Sequence, residues 1–405
     1  MRAVSPKLFA LILALAPAAH AQIYADVVTT KGDFTIQLNH TAAPKTVANF
    51  IGLAEGSRAW VNPVTGAVHT NEPYYNGVIF HRVIADFMSQ TGSRKGDGSD
   101  GPGYVFQDEV NNGLTHSGPH VVSMANSGPI SNGAQFFITD VATSHLDGKH
   151  TVFGAISSGQ SVVDAINNSP TTNDRPITPI VIQSITIRRV GAAANAFDIH
   201  AQGLPVVTQP KARITATKGG TASVAFTPDL APRTQFRVFR STNLTAWASL
   251  GQLYTPKDGE PVDRVDGIET QAPEKAFYQF AAISYPQDPM FSKPALASYS
   301  INLGTQTRSY VFNAAGTGGN VTITPSGGSP TVIPFTSMEV TSTPYRSQLV
   351  VDHGTAAANA PQYLRHTLYA DAGTATSFSG RMVADQFIPF FGWSSWGSGS
   401  YTASH

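Results

Sequence analysis

The chain has 405 residues and no cysteine. Disulfides, thiolate nucleophiles, thiolate zinc sites and a lipid-modified N-terminal cysteine are therefore excluded. Charge is scarce as well. Asp, Glu, Lys and Arg make up 13% of the residues, with 26 of each sign, so the formal net charge is zero. A general nucleic-acid or acidic-membrane binder needs a basic excess or patch, and this chain shows none. Also missing is any apolar run of the ~20 residues needed to cross a bilayer. Turn formers are abundant instead: 36 Gly and 27 Pro. That composition favours short strands and many turns over long charged helices. With 41% hydrophobic residues the chain can build cores rather than stay disordered. At roughly 150 residues per domain, two or three domains are expected.

The N-terminus reads as an export signal. Arg2 and Lys7 give a positive start, residues 8–16 form an apolar stretch, and Ala19-His20-Ala21 has the small-x-small pattern of a cleavage site. The apolar stretch is far too short to span a bilayer. Residues 1–21 are thus expected to be a signal peptide, with the mature chain starting at Gln22. The protein is expected to be exported, periplasmic or extracellular. Its fold must then hold without disulfides in an oxidising compartment.

Turn signals divide the remainder. The strand-like run ITIRRV (185–190) precedes the small residues GAAANA (191–196). This closes a first domain at 22–190 and places a linker over 191–205. Beyond it lie β-like runs bounded by turn residues, among them ARITAT (212–217), QFRVFRS (235–241), KAFYQFAAIS (275–284), NVTITP (320–325) and SQLVVD (347–352). They predict a β-sandwich-like module over 206–288 and a β-rich C-terminal module over 296–405. Inside the first domain, ADVVTTKGDFTIQL (25–38) reads as a hairpin turning at Lys31-Gly32-Asp33. APKTVANFIGLAEG (43–56) reads as a helix, with Pro44 in its first turn, Val47, Phe50, Ile51 and Ala54 at helical spacing, and Gly56 as its stop. SVVDAINNS (161–169) reads as a second helix. Two helices among about eight strands make the fold class mainly β, a closed barrel with capped ends.

Four blocks carry the chemistry: FHRVIADFMSQTGS (80–93), VVSMANSGP (121–129), GAQFFITD (133–140) and HLDGKHTVFG (145–154). They supply one permanent cation (Arg82), two amides (Gln90, Asn126), an apolar set (Phe87, Met88, Phe137, Leu146) and His150. No Ser-His-Asp elbow and no paired carboxylates accompany them. The set suits holding a neutral apolar group beside a polar backbone, not hydrolysis, and requires no metal or cofactor. Taken singly, the apolar residues read as core and the histidines as structural. Their joint occurrence is what points to a site.

These blocks resemble the cyclophilin family of peptidyl-prolyl cis–trans isomerases, over residues 24–190. F-H-R-V-I with F-M-x-Q, S-M-A-N, Q-F-F-I and L-D-G-K-H-x-V-F-G stand in the family's order and spacing. The resemblance implies an eight-stranded closed barrel capped by two helices, followed here by β-sandwich-like C-terminal modules. It implies that Arg82, Gln90, Asn126 and His150 are catalytic. His81, Phe87, Met88, Ala125, Gln135, Phe137, His145 and Leu146 would line or border the substrate groove. The implied activity is rotation about X-Pro bonds in exported proteins, assisting their folding. Phe87, Met88, Phe137 and Leu146 would grip the proline ring. Arg82 would donate toward the prolyl nitrogen or the substrate carbonyl, Gln90 would orient Arg82, and Asn126 would hold the peptide backbone. The implied partners are proline-containing peptides and unfolded exported proteins. A monomer is expected, with no nucleic acid, no membrane span, no metal and no cofactor. The alternative from another class is a proline-peptide binder or chaperone without turnover, tethered by the C-terminal β modules.

The chain departs from the family pattern in three places. His145 stands where many members have tryptophan, which implies weak inhibition by cyclosporin. Gln90-Thr91-Gly92-Ser93 replaces the usual Q-G-G-D and removes a carboxylate near the groove. The segment 57–75 is longer than in minimal members and is expected to shape one groove edge. Two other patterns read as loops. Gly96, Gly98 and Gly101 form G-x-G-x-x-G without a bracketing strand and helix, so no dinucleotide site is expected. His116 and His120 have helical zinc spacing, but Gly118 and Pro119 between them argue for a surface loop. After residue 200 no catalytic set is found. Trp247 is expected in a module core, and the aromatic tail 386–405 is expected to form a final strand. The C-terminal half is left with a capture or spacer role toward envelope or other proteins.

Overall fold

The computed structural model describes residues 21–110, 112–128 and 130–210. Beyond these it describes 212–217, 223–228, 234–254, 265–269, 276–286, 298–302, 306–312, 319–335, 337–343, 346–353, 363–373, 377–388 and 392–404. The expected signal peptide lies almost wholly outside the described residues.

Strands β1 (Gln22–Thr29) and β2 (Gly32–Leu38) pair antiparallel, with Val27 opposite Phe34 and Ala25 opposite Ile36. Along β1 every second residue is buried, as period-two alternation requires of a sheet with one face on a core. The turn falls at Thr30-Lys31, where the Lys31 amide donates to Thr29 Oγ1 at 3.0 Å.

Helix α1 (Pro44–Glu55) starts and stops as its sequence dictates, with Pro in its first turn and Gly56 in the left-handed region at φ 77°. Its N-terminus has no local side-chain cap. Glu109, distant in sequence, replaces one. Its carboxylate accepts from the amides of Lys45 and Thr46 and from Thr46 Oγ1, at 3.1, 2.8 and 2.8 Å. An anion at the positive end of a helix is favourable, and it satisfies donors that would otherwise be orphaned. Phe50 of α1 then meets Tyr75, Phe136 and Phe153 at 5.3–5.6 Å between ring centroids, at the centre of the core.

The chain continues through the short hairpin β3 (Trp60–Val61) and β4 (Val68–His69), then β5 (Arg82–Ile84), β6 (Met88–Thr91), β7 (Val121–Met124), β8 (Phe136–Thr139) and β9 (Val152–Ser158). Helix α2 (Gln160–Asn167), the small pair β10 (Thr171–Thr172) and β11 (Arg175–Pro176), and the long β12 (Ile182–Val190) complete the unit. Eight strands form one sheet in the order β12-β1-β2-β9-β7-β8-β6-β5. The two edges meet. Phe80 N donates to Ile180 O at 2.9 Å, Ile182 N to Val78 O at 2.8 Å, and Ile79 bridges Val181. Closure removes the exposed strand edges.

The segment expected to be a linker is packed. A short helix α3 (Ala192–Asn195) follows β12, and Ala194, Ile199 and Leu204 are buried in the same apolar cluster as the barrel. The next unit contains β13 (Val206–Thr208), β14 (Ala212–Thr217), β15 (Ser223–Pro228), β16 (Thr234–Ser241), β17 (Ala248–Tyr254), β18 (Val265–Glu269) and β19 (Phe277–Ser284). They form a four-stranded sheet, β13-β19-β16-β17, and a three-stranded one, β14-β15-β18. Trp247 is half-buried and packs against the apolar cluster, with its indole N–H donating to Leu244 O at 3.2 Å. Between Ser298 and Ser404 lies a nine-stranded antiparallel sheet, and the expected final strand is Gly392–Ser404. No helix among the described residues is long and apolar enough to cross a membrane.

Candidate active site

Strand register builds the site. Arg82 lies opposite Gln90 across β5 and β6, Gln90 opposite Phe137 across β6 and β8, and Phe137 opposite Ser123 across β8 and β7. Directly opposed residues in antiparallel strands share a sheet face. One row therefore runs cation, amide, aromatic ring across neighbouring strands. Met88, two residues before Gln90, joins the same face. Phe137 and Met88 are 4% and 2% exposed, whereas Arg82 is exposed. The result is an apolar floor with a solvated cation at its edge.

Short elements supply the rim. The 3-10 turn Ser144–Leu146 carries His145 and a half-buried Leu146. His145 stacks on Phe87, with centroids 5.8 Å apart and planes at 23°. His150 donates from Nδ1 to Met124 O at 2.9 Å and meets Phe137 edge to face at 5.7 Å. Ala125 N donates to Gln135 O at 3.0 Å, tying the segment after β7 to the start of β8.

Amides lock the loop beside the row. Gln90 Nε2 donates to Gln135 Oε1 at 2.9 Å, and Gln135 Nε2 donates to the carbonyls of Gly98 and Asp100 at 2.8 and 2.7 Å. Gln90 is thus bonded to Gln135. No hydrogen bond from it to Arg82 is found among the described residues, so it backs the guanidinium only as a cross-strand neighbour. Arg82 instead pairs with Asp174 at 3.6 Å, through side chains about half exposed. Such a pair is weak and easily exchanged for another partner.

The carboxylate lost from Q-G-G-D is replaced from within the Gly-rich loop. Asp100 accepts from the Ser93 hydroxyl and from the amides of Arg94 and Lys95, the latter at 3.0 and 3.2 Å. Ser93 Oγ in turn accepts from the amides of Gly96 and Gly98, both at 3.1 Å. The loop is a hydrogen-bonded coil around two side chains, and no helix follows it. Gly98 sits at φ 79°, and a Cβ there would press on His81 Nε2 at 3.1 Å. His81 is 8% exposed, and burial lowers its pKa, holding the ring neutral.

Asn126 serves the scaffold with its side chain. Its Nδ2 donates to Asp108 Oδ1 at 3.1 Å and to Lys149 O at 2.9 Å, and its Oδ1 accepts from Gly128 N at 3.2 Å. A hydrogen bond from Asn126 to a bound peptide must therefore come from its main chain.

The surface-loop reading of His116 is corrected. His116 is fully buried, Nδ1 donates to Asp147 Oδ1 at 2.7 Å, and Nε2 accepts from Ser123 Oγ at 2.9 Å. Desolvation lowers its pKa more than Asp147 raises it. The order Ser-His-Asp is superficially that of a hydrolase, but Ser123 is itself fully buried. The chain fastens the 145–150 loop under Phe137, on which His116 stacks at 5.8 Å. Spacing misled because a buried loop histidine carries no local signature. His120 bonds to Asp164 at 2.6 Å instead, and no group of three or more metal-ligating side chains occurs among the described residues.

Register, ring contacts and hydrogen bonds join Arg82, Gln90, Phe137, Gln135, Ala125 and His150, and separately Phe87 with His145. Residues 24–187 match the family model "Cyclophilin type peptidyl-prolyl cis-trans isomerase/CLD". Peptidyl-prolyl cis-trans isomerase B of Streptomyces anulatus is 48% identical over 170 residues, 41% of this chain and 97% of the relative. Peptidyl-prolyl cis-trans isomerase A of Mycobacterium tuberculosis is 47% identical over 162 residues, 39% of this chain and 88% of the relative. A crystal structure of a cyclophilin type isomerase from Cryptosporidium parvum shares 29% identity, covering 41% of this chain and 98% of its own, with a TM-score of 0.36. With nearly the full length of its relatives covered at almost half identity, this chain belongs to the cyclophilin-type peptidyl-prolyl cis-trans isomerase family.

Proposed function

We propose that the chain accelerates cis–trans rotation about X-Pro bonds, and that it does so on exported proteins. The single observation that carries the activity is the Arg82–Gln90–Phe137 row, a cation at the edge of an apolar floor. The prolyl amide resists rotation by ~18–20 kcal/mol because the nitrogen lone pair is delocalised into the carbonyl. Uncatalysed rotation takes tens of seconds or longer. Nothing need be broken, so no nucleophile, acid or base is needed. The site must hold the ring and favour the twisted amide over both planar ones.

Phe137 and Met88, with Phe87 and Leu146, hold the ring by burial. A twisted amide has a localised nitrogen lone pair and a more ketone-like carbonyl. A guanidinium can donate to either, and this interaction strengthens as resonance is lost. A guanidinium presents its donors in a fixed plane. The loose pair of Arg82 with Asp174 keeps the guanidinium over the strand edge without consuming it. His150, bonded to Met124 O and packed edge to face on Phe137, bounds the slot.

Action on exported proteins rests on the N-terminal 21 residues, which have the charge, apolar length and cleavage pattern of a secretory signal. An isomerase working in an oxidising compartment without cysteine is immune to thiol oxidation. The C-terminal modules would hold this domain near its substrates in the envelope. The test is Arg82→Ala in the full chain, assayed on a proline peptide at low temperature. A fall in kcat/KM of about 100-fold or more, with an unchanged melting temperature, is expected. Unchanged kcat/KM would refute the mechanism.

A further inference from the structure

The Gly-rich loop 93–103 cannot hold its shape by backbone preference. Gly96, Gly98 and Gly103 all have positive φ, and glycine loses the most freedom on ordering. Ser93 and Asp100 gather the first half of the loop from within. The rest leans on the long segment 57–75. Val61 N donates to Pro102 O at 2.9 Å, and a Cβ on Gly103 would meet Val61 at 2.7 Å. The Arg94 guanidinium lies 4.8 Å from the centroid of the Trp60 ring and donates to Tyr74 O at 2.7 Å. Trp60 is fixed in turn: His69 stacks on it at 4.1 Å, and its indole N–H donates to Glu72 O at 3.0 Å. Arg175 adds a tie from β11, to Gly96 O at 3.0 Å.

The same segment carries the module. Trp60 and Val61 share one apolar cluster with Leu204, Val207, Phe239 and Ile283. Gly66 has φ 76° and lies so close to the Phe239 ring that a Cβ would overlap it. Arg58 is buried and bonds both ways, donating to Tyr104 OH at 3.3 Å and to the carbonyl of Pro205. Tyr104 follows the Gly-rich loop directly, and Pro205 leads into β13. A buried cation needs such partners, so these bonds fix the module against the loop. On its other side the loop meets the site. Gln135 donates to the carbonyls of Gly98 and Asp100 and accepts from Gln90, which lies opposite Arg82.

We infer that the docked module holds the Gly-rich loop in place through segment 57–75, and that Arg94 is the positioning residue through which the peptide site senses the dock. This rests on the isomerase reading above and adds to it a control from outside the family domain. Loosening the dock frees the loop and lets Gln135 shift, which weakens peptide binding. Arg82 and the apolar floor stand on paired strands, so a peptide once bound turns over as before.

The test uses the full chain. Gly66→Asn keeps a residue that tolerates positive φ but sets a side chain against Phe239. Phe239→Ala loosens the dock from the module side, and Arg94→Gln unties the loop directly. Amide exchange over 93–103, kinetics on a proline peptide and the Kd of its fluorescein-labelled form are measured for each. Both dock variants should speed loop exchange by about fivefold or more and raise KM and Kd by about threefold or more, with kcat within about twofold. A general loss of folding would lower kcat with them. Paired with Arg94→Gln, each dock variant should fall well short of the product of the single effects, because both act on one set of contacts. Native loop exchange and KM in both dock variants, or effects that multiply in full, overturn the inference. A loop and a Kd that respond as expected in a chain without turnover would keep the coupling and sink the isomerase reading instead.

Discussion

Gln90 of β6 with the loops around Asp100, Asn126 and Gln135 on the barrel, and strand β16 of the module, border one cavity, yet the two regions are held in different ways. In the barrel, irregular segments are fixed by buried and half-buried side chains acting as hydrogen-bond hubs. Glu109 caps α1, Asp100 and Ser93 gather the Gly-rich loop, His116 joins Asp147 to Ser123, and Asn126 ties two loops together. Each replaces main-chain pairing that a loop cannot make for itself. The module relies on paired strands and apolar contact. β16 buries Phe236, Val238 and Phe239, and its docking adds one buried cation, Arg58. A site that must present groups from loops needs the first kind of construction. A wall made of one strand needs only the second.

The contrast can be broken most forcefully at the caps. Glu109→Ala should cost about 2 kcal/mol, because it leaves two helix amides and the buried Thr46 hydroxyl without a charged acceptor. In the module, Thr234→Ala removes a hydroxyl pair with Ser284 at 3.0 Å and should cost about 1 kcal/mol or less. Denaturant melts of both variants decide this. Equal costs would erase the distinction.

Of the barrel and the module bordering it, acid should act on the barrel. His81 and His116 have pKa values lowered by burial, and so, less buried, does His40. Below the ordinary histidine pKa near 6.5 the unfolded chain binds protons that the folded barrel refuses. Stability is therefore complete above about pH 6.5 and falls as pH drops, by up to about 1.4 kcal/mol per pH unit for each of the buried His81 and His116, and by less for His40. The sequence from 201 to 300 has no histidine. Hydrogen exchange at pH 7.5 and 5.5 should show protection lost first in β5 to β9, and equal loss in β16 and β19 would contradict this.

Two smaller effects sharpen the picture of the rim. His145→Trp should tighten cyclosporin binding by about tenfold, the worth of one aromatic anchor, while leaving peptide turnover within about twofold. Calorimetry with the inhibitor reads the first, and no gain would mean that His145 does not limit the affinity. Asp174→Asn breaks only an exposed pair. It should alter kcat/KM by less than about twofold, and a tenfold loss would show that Asp174 positions Arg82.

Sequence patterns reveal the barrel well and the module poorly, for physical reasons. Period-two burial in β1, helical spacing in α1 and the turn glycines follow from local geometry and are legible without a partner. The site blocks are legible because Arg82, Gln90 and Phe137 fall on short strands whose register sets them side by side. The hubs are not. Glu109 meets Thr46, His116 meets Asp147 and the Asn126 side chain meets Asp108, each across a long stretch of chain. Gly66 and Phe239 read as an ordinary loop and an ordinary strand. Only their contact shows that the long 57–75 segment is a seat for the module.

The most direct measurement is cis–trans exchange in a proline peptide, followed by two-dimensional NMR exchange spectroscopy with the intact chain at a small fraction of the peptide concentration. The expected result is strong exchange between cis and trans resonances on a sub-second timescale, against the tens of seconds of the free peptide. Peptide signals that shift and broaden on binding while the isomers fail to interconvert would contradict it, and would make the barrel a proline-peptide receptor.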